Sequence, residues 1–132
     1  VIIYQHRIYR VDLQNNPDVL YLFGDNLDRV GLGGQAGEMR GEPNAIGIAT
    51  KIHPGMSEDD FFTDDAFAYN MNSIRTDLKP VGEHIIGGGI VVIPSDGLGT
   101  GLSQLPERAP RTYAFLEEAL RILKGEPKTD LL

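Results

Sequence analysis

Cysteine and tryptophan are both absent from the 132 residues, and phenylalanine and tyrosine contribute only five residues each. Without cysteine there is no disulfide scaffold, no thiolate metal site, no thiol nucleophile and no Cys-based redox centre. Positive charge is also scarce: Lys and Arg number 12 against 19 Asp and Glu, a net charge of −7. Such a field repels nucleic-acid phosphates and anionic membranes, so neither is expected as a partner. Any anion binding then has to come from local backbone geometry. No apolar run approaches the ~18 residues of a membrane span, and no basic-then-apolar leader opens the chain. The expectation is a cytoplasmic protein. The chain starts at Val1 without a Met, which reads as a residue removed or a few missing. Its length suits one compact domain over residues 1–132, and the 41% hydrophobic content is enough for one core. What the chain has in excess is glycine, 16 copies or about 12% where ~7% is usual.

The pattern of apolar runs predicts buried strands alternating with helices. Val1 to Tyr4 and Arg7 to Val11 are two short β-rich runs, one bent strand or a tight ribbon. Asp12 to Asp18 is polar, a turn or a single helical turn. Val19 to Phe23, Asn44 to Thr50 and Gly89 to Ile93 are continuous apolar stretches without alternation, as in strands covered on both faces. A short helix is expected from Gly33 to Arg40. A longer one runs from Thr63 or Asp64 to Leu78, where Phe67, Met71, Ile74 and Leu78 form one stripe and Pro80 and Gly82 end it. The last helix spans Pro106 to Lys124, with Pro110 marking a new first turn inside it, and the tail to Leu132 reads as loose. The fold class this predicts is α/β, a sheet between layers of helices.

Two segments share one grammar, a buried strand, a glycine-rich turn and a helix start. The first runs from Tyr21 to Arg40 through Gly31-Leu32-Gly33-Gly34; the second runs from Val92 to Pro106 through Gly97-Leu98-Gly99-Thr100-Gly101. Both loops fall after strand carboxyl ends, where open α/β sheets bind ligands. Glycine lets the backbone approach a ligand and turn its N–H groups inward, and a helix N-terminus adds positive potential, so phosphate or pyrophosphate is the expected guest. Neither loop continues into Gly-Lys-Ser/Thr, and neither contains a clean G-x-G-x-x-G. Gly87-Gly88-Gly89 precedes its strand and reads as a hairpin or entry turn. His6, His53 and His84 lack the spacing of a metal pair, and Ser57, Ser95 and Ser103 lack a nucleophile motif. No metal or cofactor is expected.

The stretch from Gly31 to Arg40, a glycine string entering a helix through Ala36-Gly37, resembles the first ligand loop of macrodomains. Ile93 to Leu120, with Gly99-Thr100-Gly101-Leu102, a proline and a long helix, is similar to the macrodomain loop that cradles phosphate. Phe23-Gly24-Asp25-Asn26, the string Ile46 to Lys51 and Asp96 to Leu102 also resemble small phage and bacterial proteins of uncharacterised function. The resemblance implies a three-layer α/β/α sandwich with a mixed, mostly parallel sheet and a cleft for ADP-ribose or a related nucleotide. It implies that Gly31, Gly33 and Gly34 approach the distal ribose, that Asn26 holds it, and that Gly99 to Leu102 wrap the pyrophosphate. Asp12 and Asp25 are its candidates for reading adenine. The candidate ligand-binding residues are Gly24, Asp25, Asn26, Gly31, Gly33, Gly34, Gln35, Thr50, Lys51, Asp96, Gly97, Gly99, Thr100, Gly101 and Leu102. Asp25 and Asn26 are the candidate catalytic pair of an ADP-ribosyl hydrolase, with Asp25 or Asp96 orienting a water.

Plainer roles stand beside these. Asp25 can close an Asx-turn, Arg40 can be solvated at a helix end or pair with phosphate, and Lys51 can be exposed. The acidic run Glu58-Asp59-Asp60 with Asp64-Asp65 suits helix N-termini, and Phe61-Phe62 suits the core or a flap. Two classes of function remain open at this point: a nucleotide-binding domain, catalytic or not, and a non-enzymatic protein whose loops form a protein–protein surface. The oligomeric state is also open.

Overall fold

The computed structural model describes residues 1–125, so the tail from residue 126 onward lies outside the described residues. Four strands and five helices follow one another as β1 (Ile2–Gln5), α1 (Arg10–Asn15), β2 (Leu20–Asn26), α2 (Ala36–Met39), β3 (Ala45–Lys51), α3 (Phe67–Ile86), β4 (Val91–Pro94), α4 (Leu105–Arg108) and α5 (Pro110–Leu123). Single 3₁₀ turns occupy Glu58–Asp60 and Asp64–Ala66. The strands form one sheet in the order β1-β4-β2-β3, and every pairing is parallel. The expected mixed sheet is therefore corrected: the connections between strands pass through helical segments, and no hairpin joins two of them.

Alternation along the strands sorts the core into two clusters on opposite sides of the sheet. Leu22, Ile48, Val91 and Ile93 pack with Ile74 and Leu78 of α3 and with Leu116 and Leu120 of α5. Tyr21, Phe23 and Val92 pack instead with Ile8, with Leu13 of α1 and with Ala36 and Met39 of α2. Phe62 joins the first cluster, and Phe61 is equally buried.

Two local expectations change. Arg7 to Val11 is not a strand, because Asp12 accepts a hydrogen bond from the Tyr9 N–H at 2.8 Å and starts α1. α3 does not stop at Leu78 but continues through Pro80 to Ile86. Pro80 sits on the exposed side, while Val81 is fully buried, so packing of the later turns outweighs the ~3 kcal/mol penalty of an internal proline. Of the two alternatives for Gly87 to Gly89, hairpin or entry turn, the structure shows the entry turn: Gly87 caps α3, and Gly88 turns the chain toward β4 at φ +87°. The expected break at Pro110 is present, with α4 ending at Arg108 and α5 beginning at Pro110.

An all-parallel sheet places the carboxyl ends of all four strands along one edge. After β2 the chain turns toward α2 and the second cluster; after β4 it turns toward α5 and the first cluster. The adjacent strands β2 and β4 thus send their loops to opposite sides, which opens a crevice between them.

Candidate functional site

That crevice is a cleft of about 860 Å³, walled by both glycine loops. Gly24, Gly33, Gly34, Gln35, Asp96, Gly97, Gly99, Thr100, Gly101 and Leu102 all line it. A side pocket of about 80 Å³ adjoins it and is lined by Asp25, Asn26, Gly31 and Lys51, with Gly24, Gly33 and Leu102 shared between the two. The loops approach each other closely: a Cβ on Gly33 would lie 2.9 Å from Leu102 Cδ1, and one on Gly24 would lie 3.4 Å from the Gly99 nitrogen. Asp25, Asn26, Thr50 and Lys51 are all buried polar groups at the carboxyl ends of β2 and β3. Buried polar side chains are costly unless paired, so their partners define what each can do.

Asp25 is fully engaged. Its carboxylate receives two bonds from Arg40, at 2.5 and 3.2 Å, and one from the Asn26 N–H at 2.8 Å. The space it fills exists because β3 has Gly47 opposite; a Cβ there would overlap the carboxylate. Gly47 thus makes room for a side chain. Arg40 lies over the Phe23 ring and donates onward to Gly31 O at 2.8 Å and Val30 O at 3.2 Å. This pair fixes the first loop. It gives Asp25 a positioning role, and Arg40 is neither solvated nor free for a phosphate.

Asn26 is different. Its Nδ2 donates to Val30 O at 2.8 Å, which orients the amide, and its Oδ1 is buried with no hydrogen-bond partner among the described residues. An orphan acceptor beside a pocket is open to a donor from a guest or from solvent. Gln35, by contrast, spends its amide on Ile8, accepting from the Ile8 N–H at 3.2 Å and donating to Ile8 O at 3.1 Å.

The second loop is held mostly by its own backbone, with the hydroxyls of Thr50, Thr100 and Ser103 adding to it. Gly97 and Gly99 take φ of +90° and +81°, and the Leu105 N–H donates back to Gly99 O at 2.9 Å. The N–H groups of residues 99 to 103 meet no acceptor among the described residues, and neither do those of Gly33 and Gly34. Unclaimed backbone amides in a glycine loop are groups that suit an anion. The helices that follow, α2 and α4, have four residues each, so helix dipoles add little further.

Thr50 lines neither cavity. Its hydroxyl is fully buried, 2.7 Å from Ser103 Oγ and 3.3 Å from Asp25 O, and so pins the second loop to the strand ends. Lys51 is buried, not exposed. Its ammonium donates to Pro54 O at 3.1 Å and to Gly55 O, and lies 4.7 Å from the Phe61 ring centroid. Burial lowers its pKa below the ordinary lysine value, an effect that Asp60 opposes and Arg108 reinforces. It straps the segment after β3 against the side pocket. Asp96 is exposed in the cleft wall, and its carbonyl accepts from the Thr100 hydroxyl at 2.6 Å.

The structure adds residues that sequence reasoning missed. His6, Arg7, Ile8 and Tyr9 form a further wall of the cleft, and Ser103 lines both cavities. Placing β1 in a parallel sheet would have revealed the first group, since its carboxyl end must share the edge with the glycine loops. Asp12 lies outside both cavities and accepts from the Tyr9 N–H and Gln5 Nε2. No group of three or more His, Asp or Glu placed to hold a metal ion occurs among the described residues. No helix among them is long and apolar enough to cross a membrane.

Comparison with known families places the chain. A family model described as a family of unknown function, DUF7831, matches residues 3–119, and the chain belongs to that family. No curated protein and no solved structure matches the chain.

Proposed function

We propose that this protein is a macrodomain-like, three-layer α/β/α domain that binds ADP-ribose or a related nucleotide-diphosphate sugar. The observation that carries the reading is the convergence of two glycine loops on one cleft, with unclaimed backbone amides on both. In this reading the amides of residues 99 to 103 take the pyrophosphate, whose charge they match without a cation. Asn26 Oδ1 accepts from a hydroxyl of the distal ribose, which satisfies its buried lone pairs. The two glycine-lined cavities meet at Gly24 and Gly33, so one ligand can span them. Hydrolysis of an ADP-ribosyl bond is an extension of the same reading. Asp96 is then the carboxylate that orients the water, because both oxygens of Asp25 are held by Arg40.

Calorimetric titration with ADP-ribose, with AMP and ribose-5-phosphate as controls, tests binding. Gly101 is the position to alter, since a Cβ there meets nothing within 4 Å and its φ is not left-handed. Gly101→Glu is expected to keep the melting temperature and weaken ADP-ribose by about 100-fold, as a carboxylate is driven into the cradle. Equal affinity in the variant would remove the reading.

A second reading has one observation in its favour. Val30, Leu32, Met56 and Leu102 are 50–69% exposed, and all belong to loops at the sheet's carboxyl edge. A protein partner covering these side chains is the alternative, with the loops as an interaction surface. Purification from host lysate with one stoichiometric partner, no retained nucleotide and no response to ADP-ribose would favour it.

A further inference from the structure

All eight arginines of the chain lie among the described residues. Five form ion pairs with Asp or Glu, and two stack on Phe67 and Phe115. Arg7 alone has nothing: among the described residues its guanidinium makes no hydrogen bond, ion pair or ring contact. It is exposed in the wall of the large cleft, beside His6.

The backbone that carries it is unusually well tied for a loop with exposed side chains. Gln5 Nε2 donates to Arg7 O at 2.8 Å, the Gln35 amide clamps both sides of Ile8, and the Tyr9 N–H is held by Asp12. Fixing three consecutive residues leaves only the side chain to be ordered when a ligand arrives. An acidic chain has thus left one guanidinium unpaired, on a fixed loop that lines a cavity. Guanidinium is charged at every physiological pH and presents a planar fork of donors that matches phosphate oxygens.

Strand order says which end of a ligand it meets. The carboxyl ends run β1, β4, β2, so the β4 loop with its amide cradle lies between Arg7 after β1 and Asn26 at the end of β2. With the sugar at Asn26 and the pyrophosphate over the β4 loop, the nucleoside lies toward β1. We propose that Arg7 forms a second anion subsite there, so that the preferred ligand carries a phosphomonoester on its nucleoside ribose in addition to the pyrophosphate. This rests on the nucleotide-diphosphate-sugar reading above.

Titration of wild type, Arg7→Gln and Arg7→Lys with ADP-ribose and with 2′-phospho-ADP-ribose tests the subsite. Wild type is expected to prefer the phosphorylated ligand by about tenfold or more, the scale of one charge-assisted contact. The preference falls to about one in Arg7→Gln, is partly kept in Arg7→Lys, and shrinks as salt rises. Arg7 has no partner to lose, so both variants melt as wild type. If ADP-ribose binds but wild type shows no preference, or Arg7→Gln keeps it, the subsite is overturned while the nucleotide reading stands. If wild type binds neither ligand, both fall together.

Discussion

The two glycine loops follow the same kind of strand, yet they are held in different ways. The first is tied by side chains: Arg40 grips Asp25 and two loop carbonyls, Asn26 holds Val30, and Gln35 clasps Ile8. The second is held mostly by backbone shape, through left-handed Gly97 and Gly99 and the return bond from Leu105. Side-chain ties consume polar groups that a ligand would otherwise use; a backbone-held loop leaves its amides free. The first loop is therefore left with one open acceptor and the amides of Gly33 and Gly34, and the second with a longer run of unclaimed amides, those of residues 99 to 103.

Substitutions separate the two. Arg40→Ala should have the largest effect, a loss of about 3 kcal/mol, because it leaves the buried Asp25 carboxylate with only the Asn26 N–H and the more distant Arg29 guanidinium, 3.8 Å away. Denaturant unfolding measures it, and a loss below about 1 kcal/mol would break the claim that side chains hold the first loop. Gly99→Ala should cost about 1–3 kcal/mol, since its φ of +81° disfavours an L side chain and the new Cβ would lie 3.0 Å from Leu105. Gly101→Ala, into open space, should stay within about 0.5 kcal/mol. Equal costs at 99 and 101 would mean that backbone shape is not what holds the second loop.

A position away from both loops sharpens the contrast. Asp64 caps α5, accepting from the N–H groups of Arg111 and Thr112 at 2.8 and 3.0 Å and from the Thr112 hydroxyl. Burial alone would raise its pKa, but these bonds and the Arg111 charge prevail and hold it below the ordinary 3.8. A lowered carboxylate stabilises the fold fully above its unfolded value and loses that contribution as pH falls through the folded one. Asp64→Asn should thus cost about 1 kcal/mol at neutral pH, with the gap to wild type closing below pH 3.8 and ligand affinity unchanged. A small effect similar to that of Gly101→Ala is expected at Gly33→Ala, where the new Cβ meets only the movable end of Leu102. A thermal melt should find it within about 0.5 kcal/mol of wild type.

The strands of the sheet and both glycine loops were readable because unbroken apolar runs such as Val19 to Phe23 and glycine clusters are local signals. α3 beyond Pro80 was not, because what sustains it is Val81 packing into a core assembled from distant residues. The sheet's uniform direction was missed for a similar reason: periodicity reports burial and not the sense of pairing. At the site, the residues around the cleft came from position after a strand, whereas their roles depended on partners. Nothing local tells that Arg40 reaches back to Asp25, that Gly47 makes room for it, or that Gln35 is spent on Ile8. The β1–α1 wall was hidden behind the misread strand at Arg7 to Val11.

The most direct test follows backbone and side-chain amide resonances while ADP-ribose is added to the isotope-labelled protein. Saturable shifts are predicted at residues 99 to 103, at Gly33 and Gly34, and at the Asn26 side-chain amide, with Asp64 and the α5 start unmoved. Saturating ligand that leaves the amides of 99 to 103 unshifted, or that moves only residues remote from the cleft, would contradict the cradle and the function built on it.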